Sequence, residues 1–580
     1  MPPGTSNSLE HVYAAVVIQM KTSHRCLGVG GTPAIQCKSL PIAFAGTHLF
    51  QLRLLVSGQL CSPHLHFILI SAATSHPKEM ASKLGVAVTL FFLLASIAVL
   101  ISVAVIQVHK TTYVSPGLKY GIVLDAGSSR TTIYLYQWPA EKENNTGVVN
   151  QAFKCRVKGS GISSLGQDSA QDKYSWNSMK KCMSEVMEEI PSSQHNTTPL
   201  FLGATAGMRL LRSKNETASE KILQDLREYL KNLPFSFQNA SIISGEEEGL
   251  YGWITVNYLM GNFIEKNLWN AWVRPHGADT VGSLDLGGAS TQIAFSVPPE
   301  ELLQEPWPNG FLRVWLYGYE YSVYTSSFKC YGKDKAEKKV LASLLQRFSS
   351  RKIENPCYLK GYSTTLTADY IFETPCNAKP RNYNPKEQIT IVGTGDPALC
   401  RATVRKIFDL ASCQGLSNCS FNLVYQPPAS GVFMAYAGFS YIAEMFQLNT
   451  SFSLDTFNST TWSHCSTPWQ KLKEMYVNST EKYLRSYCYL ANLIYTLLVD
   501  GYGFNPQTWN NIQFRNEVNN NSIAWPLGYM LTLSNMIPGE AKLVLLPMDN
   551  SVFAGLLFMF SALAILSIMI LIISVVRACF

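Results

Sequence analysis

Charge is the scarcest property of this chain. Charged residues fill 15% of its 580 positions, against about 25% in an average soluble protein. Two runs account for the deficit: Gly85 to Val108 and Val552 to Val576 contain no formal charge. As helices each would extend roughly 36 Å, enough for a hydrocarbon core of about 30 Å, and both are predicted to span a membrane. Also missing are GxxxxGK[ST], HExxH and CxxC, which excludes a Walker phosphate loop and leaves a zinc site unsupported. Basic residues exceed acidic ones by 47 − 40 = 7, but they form no long basic block, so nucleic acid is not the expected partner. Disorder is excluded as well, because 47% of residues are hydrophobic and 12% aromatic.

What lies between the two runs points to an oxidising compartment. Of fourteen cysteines, ten fall there: Cys155, Cys182, Cys330, Cys357, Cys376, Cys400, Cys413, Cys419, Cys465 and Cys488. An even number suggests disulfides, although counting leaves their pairing open. The same segment holds nine Asn-x-Ser/Thr sequons, at Asn144, Asn196, Asn215, Asn239, Asn418, Asn449, Asn458, Asn478 and Asn520, and the rest of the chain holds none. Nine sequons on one side of two spans is a topology argument. The plan it predicts is a short cytosolic segment 80–84, a span 85–108, an extracellular or lumenal domain 109–551, a span 552–576 and a cytosolic tail 577–580. Residues 1–79 do not fit that plan: they hold six of the ten histidines and only two acids, Glu10 and Glu79. Met80 directly before the first span reads as a natural initiator, and 1–79 as an extension without a fold.

The ectodomain contains an internal duplication. Tyr120 to Leu124 (YGIVL) is strand-like, followed by Asp125-Ala126-Gly127-Ser128-Ser129 and a second strand-like run, TTIYLYQW. Gly282 to Leu284 leads in the same way to Asp285-Leu286-Gly287-Gly288-Ala289-Ser290 and then TQIAFSV. The two aspartates are 285 − 125 = 160 residues apart, which fits one domain copied once. Small residues let such a turn bring its backbone N–H groups close to a phosphate, serine hydroxyls add donors, and an aspartate at the strand end can hold a divalent cation through water.

Between the copies lie two further constellations. Gly203 to Arg209 (GATAGMR) follows the apolar PLFL and precedes a helical pattern; Arg209 reads as an ion-pair partner or a phosphate contact. IISGEEEGLYGWITVN, from Ile242 to Asn257, reads as a short strand, a turn at Gly245 and a helix. Three glutamates at a helix start favour the helix dipole. Glu248 differs because Gly249 follows it, which suits a crowded site where a carboxylate takes a proton from an attacking water.

In this order DAGSS, GATAGMR, GEEEGLYGW, DLGGASTQ and AWPLGYML resemble the five conserved regions of the ectonucleoside triphosphate diphosphohydrolases, or apyrases. The resemblance covers about 115 to 550 and includes the two terminal spans. It implies an α/β fold of two RNase-H-like lobes, the actin, hexokinase and Hsp70 duplication, with lobes at about 115–280 and 281–520 and 521–545 returning to the first. It implies a cell-surface hydrolase taking terminal phosphates from extracellular nucleoside tri- and diphosphates with Ca2+ or Mg2+, at the plasma membrane. Asp125 and Asp285 would hold the metal. Ser128, Ser129, Arg130, Gly287, Gly288 and Ala289 would cradle phosphates. Glu248 would be the general base, with Thr205, Ser290 and Gln292 placing the water, and Tyr441 and Tyr487 would stack on the base. The implied disulfides are 155–182, 330–376, 357–400, 413–419 and 465–488. A lumenal nucleoside diphosphatase and a non-catalytic nucleotide-binding ectodomain are the alternatives, and homo-oligomerisation through the membrane helices stays open.

Overall fold

The two hairpins read from the sequence each head a sheet. A computed structural model describes residues 77–579 except 110–111, 115–116, 166–169, 269–270, 278, 298–309, 346–351, 478, 538, 541–542 and 546. The expectation for 1–79 therefore lies outside the described residues up to position 76, as does the sequon at Asn478.

In the first sheet the strands run Asn150–Val157, Thr131–Pro139, Leu118–Ala126, Pro199–Ala204, Ser236–Ile242 across the sheet. Thr131–Pro139 is antiparallel to both of its neighbours, and the last two strands are parallel to Leu118–Ala126. In the second sheet the order is Phe311–Leu316, Tyr319–Lys329, Ser290–Ser296, Gly282–Leu286, Phe433–Ala437, Ile512–Phe514. Without its outermost strand Phe311–Leu316, the second sheet repeats the order and sense of the first. The fold is α/β, two RNase-H-like units built by duplication.

Strand alternation divides the first sheet's apolar residues between two cores. Ile122, Leu124, Ile133, Leu135, Leu200 and Leu202 pack with Met179, Met183 and Val186 of the helix Ala170–Glu188 and with Ile222 and Leu226 of the helix Glu216–Lys231. Val123, Tyr134, Tyr136 and Phe201 point the other way. They share a core with Trp253 and Ile254, with Val314 and Val323 of the second sheet, and with Leu527 and Met530.

That shared core is organised by the helix Gly245–Leu259. Its residues Leu250, Trp253, Ile254, Thr255, Val256 and Asn257 are all buried, and a helix buried on every side belongs in the middle of a protein. It packs on the strands Gly282–Leu286, Ser290–Ser296 and Tyr319–Lys329 and on the helix Trp525–Ser534. Thr255 ties the last contact: its Oγ1 donates to Ala524 O and accepts from Gly528 N, both at 2.8 Å.

The ten cysteines of the central segment form five disulfides: 155–182, 330–376, 357–400, 413–419 and 465–488. The short strand Thr112–Val114 pairs antiparallel with Leu543–Leu545, so the two ends of the α/β body are stitched together. Beyond them run the helices Pro77–His109 and Asn550–Cys579. The most apolar 18-residue windows of Lys83–His109 and Asn550–Cys579 have mean hydropathies of 2.8 and 2.9, and both helices are long and apolar enough to cross a membrane. The first helix begins before Met80, upstream of the charge-free run, because Pro77 is tolerated in a first turn where its missing N–H has no partner to lose.

A third core packs Leu284, Leu286 and Ile293 of the second sheet with Ile442, Phe457 and Leu490, and Phe446 and Tyr487 lie against it; His464 supplies a test of that core. It sits between the rings of Phe446 at 5.1 Å and Tyr487 at 6.3 Å, and its buried Nε2 has no partner among the described residues. Burial pulls its pKa from 6.5 down to about 4. The folded protein thus holds it neutral while the unfolded chain protonates it near 6.5, so its stabilising share is lost as pH falls from 6.5 towards 4. His464→Phe is expected to flatten the dependence of melting temperature on pH over that window, at about 1.4 kcal/mol per pKa unit removed. An unchanged slope between pH 4.5 and 7 would reject the assignment.

Candidate active site

Each Asp-containing hairpin closes with the same register. Ala126 pairs with Thr131 and Asp125 with Thr132; Leu286 pairs with Thr291 and Asp285 with Gln292. Arg130 and Ser290 thereby occupy equivalent places, as do Thr132 and Gln292. The loops 127–130 and 287–289 meet: a Cβ added to Gly288 would lie 2.7 Å from Ser128 Oγ and 3.5 Å from Ser129 Cβ. It would also lie 2.7 Å from Asp334 Oδ2, so any larger residue at 288 would force the Ser128 and Asp334 side chains aside.

The second loop is held from behind. The carbonyls of Gly287 and Gly288 each accept, at 2.9 Å, from the amides of Lys333 and Asp334 at the start of the helix Lys333–Leu345, and Ala289 O accepts from Cys330 N at 2.8 Å. In a trans peptide the N–H points opposite to the carbonyl. The amides of Gly288 and Ala289 are therefore turned away from that helix, and neither donates to a main-chain carbonyl. Among the described residues these two N–H groups are left without an acceptor on a tight turn, an arrangement suited to an anion.

Three carboxylates gather at these loops. Asp125 is partly buried and accepts from Trp525 Nε1 at 3.0 Å. Burial raises its pKa from 3.8 to about 7; the Trp525 bond and the Arg130 charge oppose the rise, and the Glu248 charge adds to it. Burial also lifts Asp285 well above the usual carboxylate range, and the charges of Glu248 and Asp125 push it further. Glu248, 8% exposed, is raised by burial and drawn down by Arg209.

The three glutamates of the motif divide their work. Glu247 completes a capping box with Ser244: Ser244 N donates to its carboxylate at 2.8 Å and Glu247 N to Ser244 Oγ at 3.0 Å. Glu248 turns inward instead. Its Oε2 accepts from Arg209 Nη2 at 2.6 Å and from Gln292 Nε2 at 3.1 Å. Gln292 Nε2 also reaches Ser290 Oγ at 2.8 Å and Ser327 Oγ at 2.9 Å. An amide has two hydrogens for these three acceptors, so one bond is always shared, and Gln292 Oε1 is buried without a partner among the described residues. Thr205 caps the helix Ala206–Lys214 with its backbone alone, and its amide donates to Ala126 O at 3.2 Å, which sets it beside the first loop.

Glu248, Ser290, Gln292, Asp125, Asp285, Thr205 and both loops are thus brought to one place. Tyr441, on the helix Gly438–Met445, is joined to the first loop through its hydroxyl, which accepts from Arg130 Nη2 at 2.8 Å. Tyr487 opens a separate helix, Tyr487–Tyr495, with its ring against the edge of His464.

Residues 113–545 match the GDA1/CD39 (nucleoside phosphatase) family. The chain belongs to that family. Ectonucleoside triphosphate diphosphohydrolase 3 of Homo sapiens is 54% identical to it over 482 residues, 83% of this chain and 90% of the relative. Ectonucleoside triphosphate diphosphohydrolase 8 of Gallus gallus is 43% identical over 447 residues, 77% of this chain and 89% of the relative.

The cluster also holds residues that sequence reasoning missed. Trp525 stood in a recognised motif without a role, and its bond to Asp125 crosses 400 residues of sequence. Ser327 and the Lys333 helix start carried no sequence signal. Arg209, left between ion pairing and phosphate contact, is paired with Glu248, and its Nη1 also donates to Ile243 O at 2.9 Å. With Arg209 engaged by Glu248 and Arg130 held by Tyr441, the carboxylates exceed the nearby cations. An all-oxygen donor set with surplus negative charge fits a hard divalent ion such as Ca2+ or Mg2+.

The placement of Glu248 depends on Gly249. A Cβ there would fall 2.3 Å from Thr325 Oγ1, whose hydroxyl donates to Glu246 O at 2.9 Å. Gly249→Ala is expected to destabilise the fold by about 1–3 kcal/mol, the usual cost of overpacking. The double variant Gly249→Ala with Thr325→Ala should recover most of that loss in thermal unfolding, and strict additivity of the two losses would refute the contact.

Proposed function

We propose that this protein removes terminal phosphates from extracellular nucleoside tri- and diphosphates by attack of water on phosphorus. The carrying observation is the group Glu248, Gln292 and Ser290 set beside two facing loops of small residues, in a chain of the nucleoside phosphatase family. The free amides of Gly288 and Ala289, with the hydroxyls of Ser128 and Ser129 and the Arg130 guanidinium, hold the phosphates. Asp125 and Asp285 are the residues that would hold a divalent ion, which when bound neutralises phosphate charge. Ser290 and the unpartnered Gln292 Oε1 position a water within reach of Glu248, and Thr205 borders the same space. As the water oxygen bonds to the terminal phosphorus, its proton passes to Glu248. The bridging P–O bond breaks, and inorganic phosphate and the shortened nucleotide leave. The transition state is loose, so the site acts by alignment and charge stabilisation. Tyr441 and Tyr487 flank the base.

The two apolar helices anchor both ends in a bilayer, with 109–551 on the extracellular face of the plasma membrane and the disulfides and sequons on the oxidising side. Intact cells expressing the chain are expected to release phosphate from added ATP and ADP but not AMP, and a chelator should abolish the release. Glu248→Gln should lower turnover by about 10²–10⁴-fold, the worth of general-base help, with nucleotide binding retained. More than a tenth of wild-type turnover in that variant, or full activity with excess EDTA, would overturn the reading. Activity found only after permeabilisation would move the enzyme to an internal lumen.

Arg209 tunes the base in this scheme. It is the charge that draws Glu248 down against burial, so removing it leaves desolvation unopposed and the carboxylate protonated at higher pH. Arg209→Met is expected to move the acid limb of the kcat–pH profile upward by about one to three units, the usual effect of a neighbouring arginine. A profile that only falls in height would show Arg209 to be structural.

A further inference from the structure

Outside the active site, the helix Leu454–Ser466 carries an arrangement that the phosphatase reading does not use. Asn458-Ser459-Thr460 is a sequon in the interior of this helix. The two atoms of the Asn458 amide differ: among the described residues Oδ1 is buried without a partner, whereas Nδ2, the atom to which an N-linked glycan attaches, is not buried and makes no hydrogen bond. Four residues on stands Trp462, 41% exposed. Residues at i and i+4 lie on one helix face with Cβ atoms about 5–6 Å apart, and helical side chains lean towards the N-terminus. The indole therefore leans towards Asn458.

The tryptophan is also backed by a fixed stack. The Arg401 guanidinium lies 5.2 Å from the Trp462 ring centroid and 3.6 Å from that of Tyr495. Its Nε donates to Asn492 Oδ1 at 3.1 Å, and Asn492 Nδ2 donates to Cys488 O at 2.9 Å. Trp462 is thus pinned on one face and open to solvent elsewhere. A large aromatic side chain held still at the surface costs exposed apolar area unless something covers it.

We infer that Asn458 carries an N-linked glycan whose first N-acetylglucosamine packs on the open face of Trp462. The C–H face of a pyranose carries a slight positive charge and suits the electron-rich face of an indole. The stack beneath holds the ring in place beforehand, so little side-chain freedom is lost when the sugar settles. The glycan then acts as part of the outer wall of the core that Leu454, Phe457 and Cys465 enter, above the helix that ends in the Cys465–Cys488 bridge. The inference rests on the extracellular placement of 109–551 proposed above.

The test uses full-chain protein in detergent, trimmed enzymatically to one N-acetylglucosamine at each occupied sequon. Mass spectrometry of the peptide containing residue 458 is expected to find the sugar. Thr460→Ala, which removes the sequon but leaves Asn458, should lower the melting temperature by about 2–4 °C, the shift that roughly 1 kcal/mol gives in a domain of this size class. In a Trp462→Ala background the same substitution should change it by less than about a quarter of that, and Asn458→Gln should behave like Thr460→Ala in both backgrounds. An unmodified Asn458, or equal losses with and without Trp462, would overturn the inference. Glycans at other sequons but not at Asn458 would sink it alone; no glycan at any sequon would sink the extracellular placement as well.

Discussion

Three carboxylates drawn into one cleft are the constraint around which this molecule is arranged. Burial and mutual repulsion lift Asp125, Asp285 and Glu248 above their ordinary pKa range, an arrangement that stability alone would not select. Each needs a separate support. Glu248 has Arg209 and Gln292, and Asp125 has the indole of Trp525. Asp285, which has the charges of both others against it, is the one that most needs a cation. Both nearby arginines are fixed in place, Arg209 by Glu248 and Arg130 by the Tyr441 hydroxyl, and the Arg130 charge still draws Asp125 and Asp285 down.

The helix Gly245–Leu259 turns that constraint into a geometry. Because it is buried on all sides, it cannot slide without breaking contacts to the second sheet and to the helix Trp525–Ser534. Its N-terminus is pinned by the Ser244–Glu247 capping box, and the next residue, Glu248, is delivered to the carboxamide of Gln292 on a strand of the second sheet. The groups proposed to act on water come from both halves of the duplication and are in this way mounted on regular structure rather than on loose loops, which keeps them within the tolerance that water positioning requires. The stacked Trp462–Arg401–Tyr495 column does on the outer surface what the capping box does inside: it holds a side chain ready before its partner arrives.

Duplication explains why so much was legible in one dimension. A strand–Asp-x-Gly–strand hairpin is a local object, since its register follows from its own turn, and its two occurrences announce the two sheets. The charge-free runs, the strand PLFL and the helix after GEEEG are local in the same sense, being set by hydrophobic run length and periodicity. Even the special place of Glu248 could be read, because the Gly249 beside it marks a contact too close for any side chain, which proves to be Thr325.

The remainder required the chain to fold back on itself. Trp525 meets Asp125 across 400 residues, Arg130 meets Tyr441 across 311, and Gln292 meets Ser327 across 35; no spacing rule reaches such distances. The support of the second loop by Lys333 and Asp334 is made by backbone amides, for which side-chain identity carries no signal. Arg209 could be assigned only when its guanidinium was seen 2.6 Å from Glu248. Sequence alone therefore determined which residues could do chemistry and on which elements they ride, because these depend on local pattern and residue type. Which of them share charge, which are left unpartnered and which face a ligand was decided by tertiary structure, because pairing energies depend on distances that only the packed chain sets.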